Sequence, residues 1–127
     1  SNEAHYYRAK AYLDAGKVEG AMDDLKILAK DTRNIYGAEA KYKVAQIYFD
    51  AGQTEQAEKE VLDYIEVSTP HTYWLARSFV LLSDVYMKLG RNLDAKQYLL
   101  SLKQNYQADD DIAGMIESRL NKLNAEN

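Results

Sequence analysis

Apolar residues recur along this chain at three- and four-residue intervals, and the pattern breaks at regularly placed glycines and polar pairs. That periodicity predicts helices over about 3–15, 18–31, 37–51, 54–67, 71–89, 92–106 and 110–124. No segment alternates as a strand would, and no Asn-Gly or Asp-Gly hairpin turn occurs. The breaks carry a repeated motif, Tyr-x3-Gly-x4-Ala. Its copies are Tyr12–Gly16–Ala21, Tyr48–Gly52–Ala57 and Tyr86–Gly90–Ala95, separated by 36 and then 38 residues. Each glycine ends one helix in the left-handed conformation that costs glycine nothing, and a second helix follows at once.

Small residues complete the unit. Ala9, Ala45 and Ser83 lie three before the tyrosines, and Ala21, Ala57 and Ala95 lie nine after them. On antiparallel helices joined by a tight corner these positions face each other and let the axes approach closely. The tyrosine ring covers the joint. One such hairpin cannot bury its own apolar face, whereas three in series share a continuous core.

The pattern resembles the tetratricopeptide repeat, which carries small-residue, tyrosine, glycine and alanine positions in this order, over about residues 4–106. The resemblance implies an all-α fold: an antiparallel helical-hairpin solenoid, a right-handed superhelix of about seven helices. The expected organisation is one domain over 1–127, with repeats at about 4–34, 38–70 and 72–108 and a capping helix at about 110–124. Several family positions differ. The early tryptophan position holds His5, Lys41 and Phe79, and the next leucine holds Arg8, Val44 and Leu82. The late alanine holds Leu28, Tyr64 and Leu102, and only Pro70 stands near the closing proline. Extra residues fall near Tyr36-Gly37 and near Thr72–Leu75. Thr69-Pro70 reads as an N-cap and first helical residue, which starts the fifth helix about one turn early. In the last segment Asp109, Asp110 and Asp111 suit a helix N-terminus. Ile112, Met115, Ile116, Leu120 and Leu123 form the single apolar stripe of a terminal cap.

Composition narrows the function. With 46% hydrophobic and 28% charged residues and one proline, the chain is globular material. A net charge of −4 with no run of lysine or arginine argues against nucleic acid, even with eleven tyrosines available to stack. No apolar run approaches the roughly 20 residues of a membrane span. The absence of cysteine excludes disulfides and leaves the compartment open. The start at Ser1-Asn2 reads as a protease scar on a domain excised from a longer chain.

Candidate chemistry is sparse. His5 and His71, the only histidines, lack any metal-ligand spacing, and no phosphate loop or nucleophile elbow is present. No catalytic residue, metal or cofactor is expected. The carboxylates of "EQAEKEVLDYIE", Glu60 and Asp63 among them, read as a solvated helix face. The resemblance implies that the first helix of each hairpin lines an inner, concave surface. Its inner rows would be Tyr6, Lys10 and Leu13; Tyr42, Gln46 and Phe49; and Val80, Asp84 and Met87. Those rows suit a peptide or helical segment, with core packing as the competing reading. The family's best-known site clamps a terminal carboxylate with lysine and asparagines, which these positions do not supply. Tyr73 and Trp74 on the fifth helix are a second candidate contact. The expected function is a non-catalytic protein–protein interaction module. The rival is a spacer or assembly scaffold in a longer array, in the style of bacterial envelope-assembly proteins. Ala4, Tyr7 and Ala11 are free to meet a preceding repeat or to support self-association.

Overall fold

The structure, a computed structural model, describes residues 1–67 and 69–126. It contains α1 (Asn2–Asp14), α2 (Val18–Leu28), α3 (Ile35–Asp50), α4 (Thr54–Glu66), α5 (Thr72–Lys88), α6 (Asn92–Asn105) and α7 (Ile112–Ala125), with no strand among the described residues. Among the described residues no helix is long and apolar enough to cross a membrane.

The three corners are built alike. Gly16, Gly52 and Gly90 have φ of 74°, 79° and 76°. Lys17, Gln53 and Arg91 donate their N–H to the carbonyls of Tyr12, Tyr48 and Tyr86 at 2.7, 2.8 and 2.7 Å, and each glycine N–H bonds the carbonyl of Leu13, Phe49 or Met87. This is the Schellman pair of bonds, which satisfies the last carbonyls of the helix and requires a left-handed residue between them. Around the corners the seam closes: Ala9, Ala45, Ser83, Ala21, Ala57 and Ala95 are all buried. The Tyr12 ring lies against Gly20, where an added Cβ would stand 3.1 Å from it.

Hairpins α1–α2, α3–α4 and α5–α6 stack in order, each even helix packing on the odd helix that follows it. The odd helices also touch one another in series, α1 to α3, α3 to α5 and α5 to α7, whereas among the described residues α2, α4 and α6 make no mutual contact. The stack therefore has a tight odd-helix layer and a splayed even-helix layer, the odd layer being the inner side of the curve. One buried cluster joins α1 and α2 to α3 through Leu25, Leu28 and Val44; the other runs from α3 to α7. Helix α7 takes the place a fourth odd helix would have. It buries Ile112, Ile116, Leu120 and Leu123, with Met115 half-buried, so the apolar stripe packs as its spacing predicts.

Two local expectations need correction. Thr69 and Pro70 do not open α5, whose N-cap is His71. Thr69 Oγ1 donates to the Thr32 carbonyl at 2.7 Å and accepts from the His71 N–H at 3.1 Å, so it ties the connection to the preceding repeat. Counted back from its corner tyrosine, α5 starts one residue earlier than α3, not a turn. The aspartate run does stand at the start of α7, with Asp111 as the N-cap residue; Asp110 accepts from the Ile112 N–H at 2.9 Å and Asp111 from the Tyr73 hydroxyl at 2.8 Å.

The altered tryptophan positions follow a rule that sequence reading missed. His5, Lys41 and Phe79 each meet the residue nineteen further on: Asp24, Glu60 and Tyr98. The contact is polar in the first two hairpins and aromatic in the third. Asp24 is 1% exposed and takes bonds from Arg8 Nε and Nη2 at 2.8 and 2.6 Å and from His5 Nδ1 at 2.8 Å. The Arg8 bonds, aided by His5, outweigh burial and hold the carboxyl at about 2. Lys41 is buried between Glu60 and Asp63. Burial pulls its ammonium down, and the two carboxylates more than offset this, leaving it raised. Glu60 and Asp63 are therefore the counter-charges of a buried lysine, not merely a solvated face.

Candidate peptide-binding face

The inner layer carries the residues expected there, at different depths. Lys10 is exposed, and Tyr6, Leu13, Gln46, Phe49, Asp84 and Met87 are half-buried. Tyr42 and Val80, at 6% and 3% exposure, are the floor beneath that surface and not part of an exposed row. Leu13, Phe49 and Met87 hold equivalent places at the ends of α1, α3 and α5, each leaving part of an apolar side chain at the surface. Phe49 and Met87 share a cleft of about 380 Å³ with Lys88, Asn92 and Lys122.

Polar clasps link each odd helix to the next along this face. The Tyr6 hydroxyl donates to both Glu39 carboxylate oxygens at 3.1 and 3.2 Å. Arg77 Nη2 donates to the Tyr42 hydroxyl at 2.9 Å, and Tyr42 donates to Gln46 Oε1 at 2.9 Å. Arg119 Nε and Nη2 grip the two Asp84 oxygens at 2.8 and 3.0 Å. The clasps span 33, 35 and 35 residues. Glu39, Arg77 and Arg119 were not legible as members of the face; the signal lay in those near-repeat spacings between complementary polar residues. Burial, with Glu39 adding, pushes the Tyr6 hydroxyl up to about 12, and burial also raises Tyr42 against the pull of Arg77. Both phenols are therefore neutral hydrogen-bond donors at ordinary pH.

Tyr73 and Trp74 join this face from the start of α5. The Arg77 guanidinium lies 4.8 Å from the Tyr42 ring centroid, 5.8 Å from Trp74 and 5.9 Å from Tyr73. Trp74 packs on Tyr42 at 5.6 Å and meets Tyr73 edge-on at 5.0 Å. Arg77 also donates to the Tyr73 hydroxyl at 3.0 Å. A cation held against three aromatic faces gains from each quadrupole and loses little freedom. Both rings remain half-buried.

Residues 3–31 match the family model of the Tetratricopeptide repeat, a span that covers α1 and α2 with their corner. This hairpin is similar to a tetratricopeptide repeat. Comparison with curated proteins finds no significant match. The α3–α4 and α5–α6 hairpins reproduce the corner bonds, the glycine conformation and the small-residue seam of that matched hairpin. As a class, tetratricopeptide repeats are protein–protein interaction modules and typically lack catalytic function. The residues that converge on the inner face suit that role: aromatic and aliphatic surface with polar groups that are nearly all paired within the fold.

Proposed function

We propose that the inner face of α1, α3 and α5 binds an extended or helical segment of a partner protein and performs no catalysis. The observation that carries this reading is the partly open row Leu13, Phe49 and Met87, repeated once per hairpin above a floor of Tyr42 and Val80. Such a row offers apolar anchors at a fixed pitch, and Lys10, Gln46 and the Asp84–Arg119 pair beside it set register. Tyr73 and Trp74, fixed around Arg77, extend the aromatic surface at one end. The experiment is a peptide-display selection on the wild-type protein, followed by binding of the selected peptide to Phe49→Ala/Met87→Ala and to Lys10→Glu. Binding falls at least tenfold in both variants while the helical circular dichroism persists. Undiminished binding would remove the face from the account, and loss of helicity in the double variant would assign Phe49 and Met87 to the core alone.

A second reading, assembly into a longer array, draws on a different observation. Ala4, Tyr7 and Ala11 on α1 are exposed, Tyr7 at 59%. The equivalent residues on α5 are Ser78, Leu81 and Val85, at 0%, 2% and 0%. We infer that this face of α1 receives the second helix of a preceding repeat. The repeats at 4–34, 38–70 and 72–108 and the cap at 110–124 would then be one unit of that array. Tyr7→Glu should abolish association with a flanking repeat supplied in trans; concentration-dependent dimers of this chain that survive the substitution would contradict it.

A further inference from the structure

At the junction of the second and third hairpins a polar clasp stands beside a cleft of about 750 Å³ whose lining is polar, Gln53, Thr54, Glu55 and Gln56 among it. Glu58 on α4 faces Arg91, with Oε2 at 3.8 Å from Nη1, and the Arg91 guanidinium lies 4.3 Å from the centroid of the Tyr86 ring. At the junction between the first and second hairpins the same three places, read back by 36 and 38 residues, hold Met22, Gln53 and Tyr48. Among the described residues no ion pair joins these places, and the cleft at this corner edge, about 610 Å³, is lined mainly by apolar side chains. Leu13, Val18 and Met22 form one wall and Ile47 and Tyr48 the other. Val18 is 44% exposed. The positions equivalent to Val18 and Met22 are polar in both later hairpins: Thr54 and Glu58, then Asn92 and Lys96.

The rim is also distinctive. Its charged residues are Glu19 and Asp50, one on each side. The corresponding pair at the next junction is Glu55 and Lys88, of opposite sign. Two exposed carboxylates beside an open apolar cleft repel each other weakly and attract a cation. One Asp50 oxygen accepts from Gln46 Nε2 at 2.8 Å.

We propose that this cleft is a second docking site, which takes the bulky apolar side chain of an extended peptide flanked by lysine or arginine. The apolar anchor fills the space that Glu58 and Arg91 occupy at the next junction, and the flanking cations meet Glu19 and Asp50. The site lies at the corner edge, shares Leu13 with the inner face, and stands independently of the inner-face reading.

The test uses two fluorescein-labelled hexapeptides with a central Leu-Phe, one flanked by lysine and arginine and the other by aspartate and glutamate, followed by fluorescence anisotropy at low salt. The basic peptide binds at least tenfold more tightly and shifts the amide signals of Val18, Met22 and Ile47. Met22→Glu with Gln53→Arg, which installs the clasp of the next junction, weakens that binding at least tenfold. The exposed Glu19→Lys weakens it severalfold without touching the core, and Met87→Ala leaves it unchanged. Equal affinity for both peptides, no binding of either, binding undiminished by Glu19→Lys, or shifts confined to the inner face would overturn the proposal. So would a dimer of the protein that fills the cleft.

Discussion

Two glycines inside helices make opposed predictions from the same substitution. Gly37 lies in the first turn of α3, pressed on the connection from α2. A Cβ built there stands 1.9 Å from the Asp31 carbonyl oxygen and 2.6 Å from that of Leu28. Both obstacles are backbone, so no side-chain rotation relieves them; α3 or the connection must retreat by on the order of 1 Å. Those carbonyls accept the Asn34 and Asp31 N–H groups at 3.3 and 3.2 Å, and the retreat strains both bonds. Overpacking costs about 1–3 kcal/mol, and two weakened turn bonds add about 1 kcal/mol each. The gain in helix propensity returns about 1 kcal/mol. Gly37→Ala should therefore destabilise by about 2–4 kcal/mol. Gly114, in α7, has nothing within 4 Å of the same built atom. Gly114→Ala should stabilise by about 0.5–1 kcal/mol. With an unfolding entropy of about 2 cal/mol/K per residue, 1 kcal/mol shifts the midpoint of a chain this size by roughly 4 °C. Thermal unfolding followed at 222 nm should place the Gly37 variant about 8–16 °C below wild type and the Gly114 variant about 2–4 °C above it. A Gly37→Ala midpoint at or above wild type would refute the close approach of α3 to the α2 connection.

Three further outcomes follow from the packing. Asp24 has its carboxyl lowered from 3.8 to about 2, so its stabilisation is complete above the unfolded value and fades as pH falls from about 4 to 2. Solvent at the exposed Arg8 limits it to about 1 kcal/mol. Asp24→Asn should lower stability at pH 7 and flatten the urea midpoint against pH in that window; an unchanged slope contradicts the cluster. Gly52→Val, with open space around it but φ of 79°, should cost about 1 kcal/mol or more from the backbone alone, and an unchanged melting temperature would remove the left-handed corner. Arg119→Ala frees Asp84 and should speed amide exchange in α7 while α1 and α2 stay protected; uniform exchange rates across the chain would show that the clasp does not hold the cap.

The corners, the seam and the cap were legible because each is local or strictly periodic. Gly16, Gly52 and Gly90 fit a left-handed cap at one cost, and a small residue at Ala21 or Ala57 has one packing meaning. The polar interior was not legible. Lys41, Glu60 and Asp63 have the composition of a solvated surface, and only the apposition of α3 and α4 turns them into a buried cluster. Thr69-Pro70 failed as a helix start because the Thr69 hydroxyl found a stronger use across the repeat, at the Thr32 carbonyl. On the candidate face, the positions carried over from the family lie on α1, α3 and α5. Depth depended on α5, whose Arg77 and Trp74 cover Tyr42 in ways no single helix specifies.

The account rests on a curved stack whose odd helices touch in series while its even helices stand apart. Nuclear Overhauser contacts in solution test this most directly. Ring-to-ring contacts should appear between Tyr6 and Tyr36, whose centroids lie 4.6 Å apart, and between Tyr42 and Trp74 at 5.6 Å, with none joining α2 to α4 or α4 to α6. Strong side-chain contacts between α2 and α4 or α6, as a closed bundle would give, would contradict it.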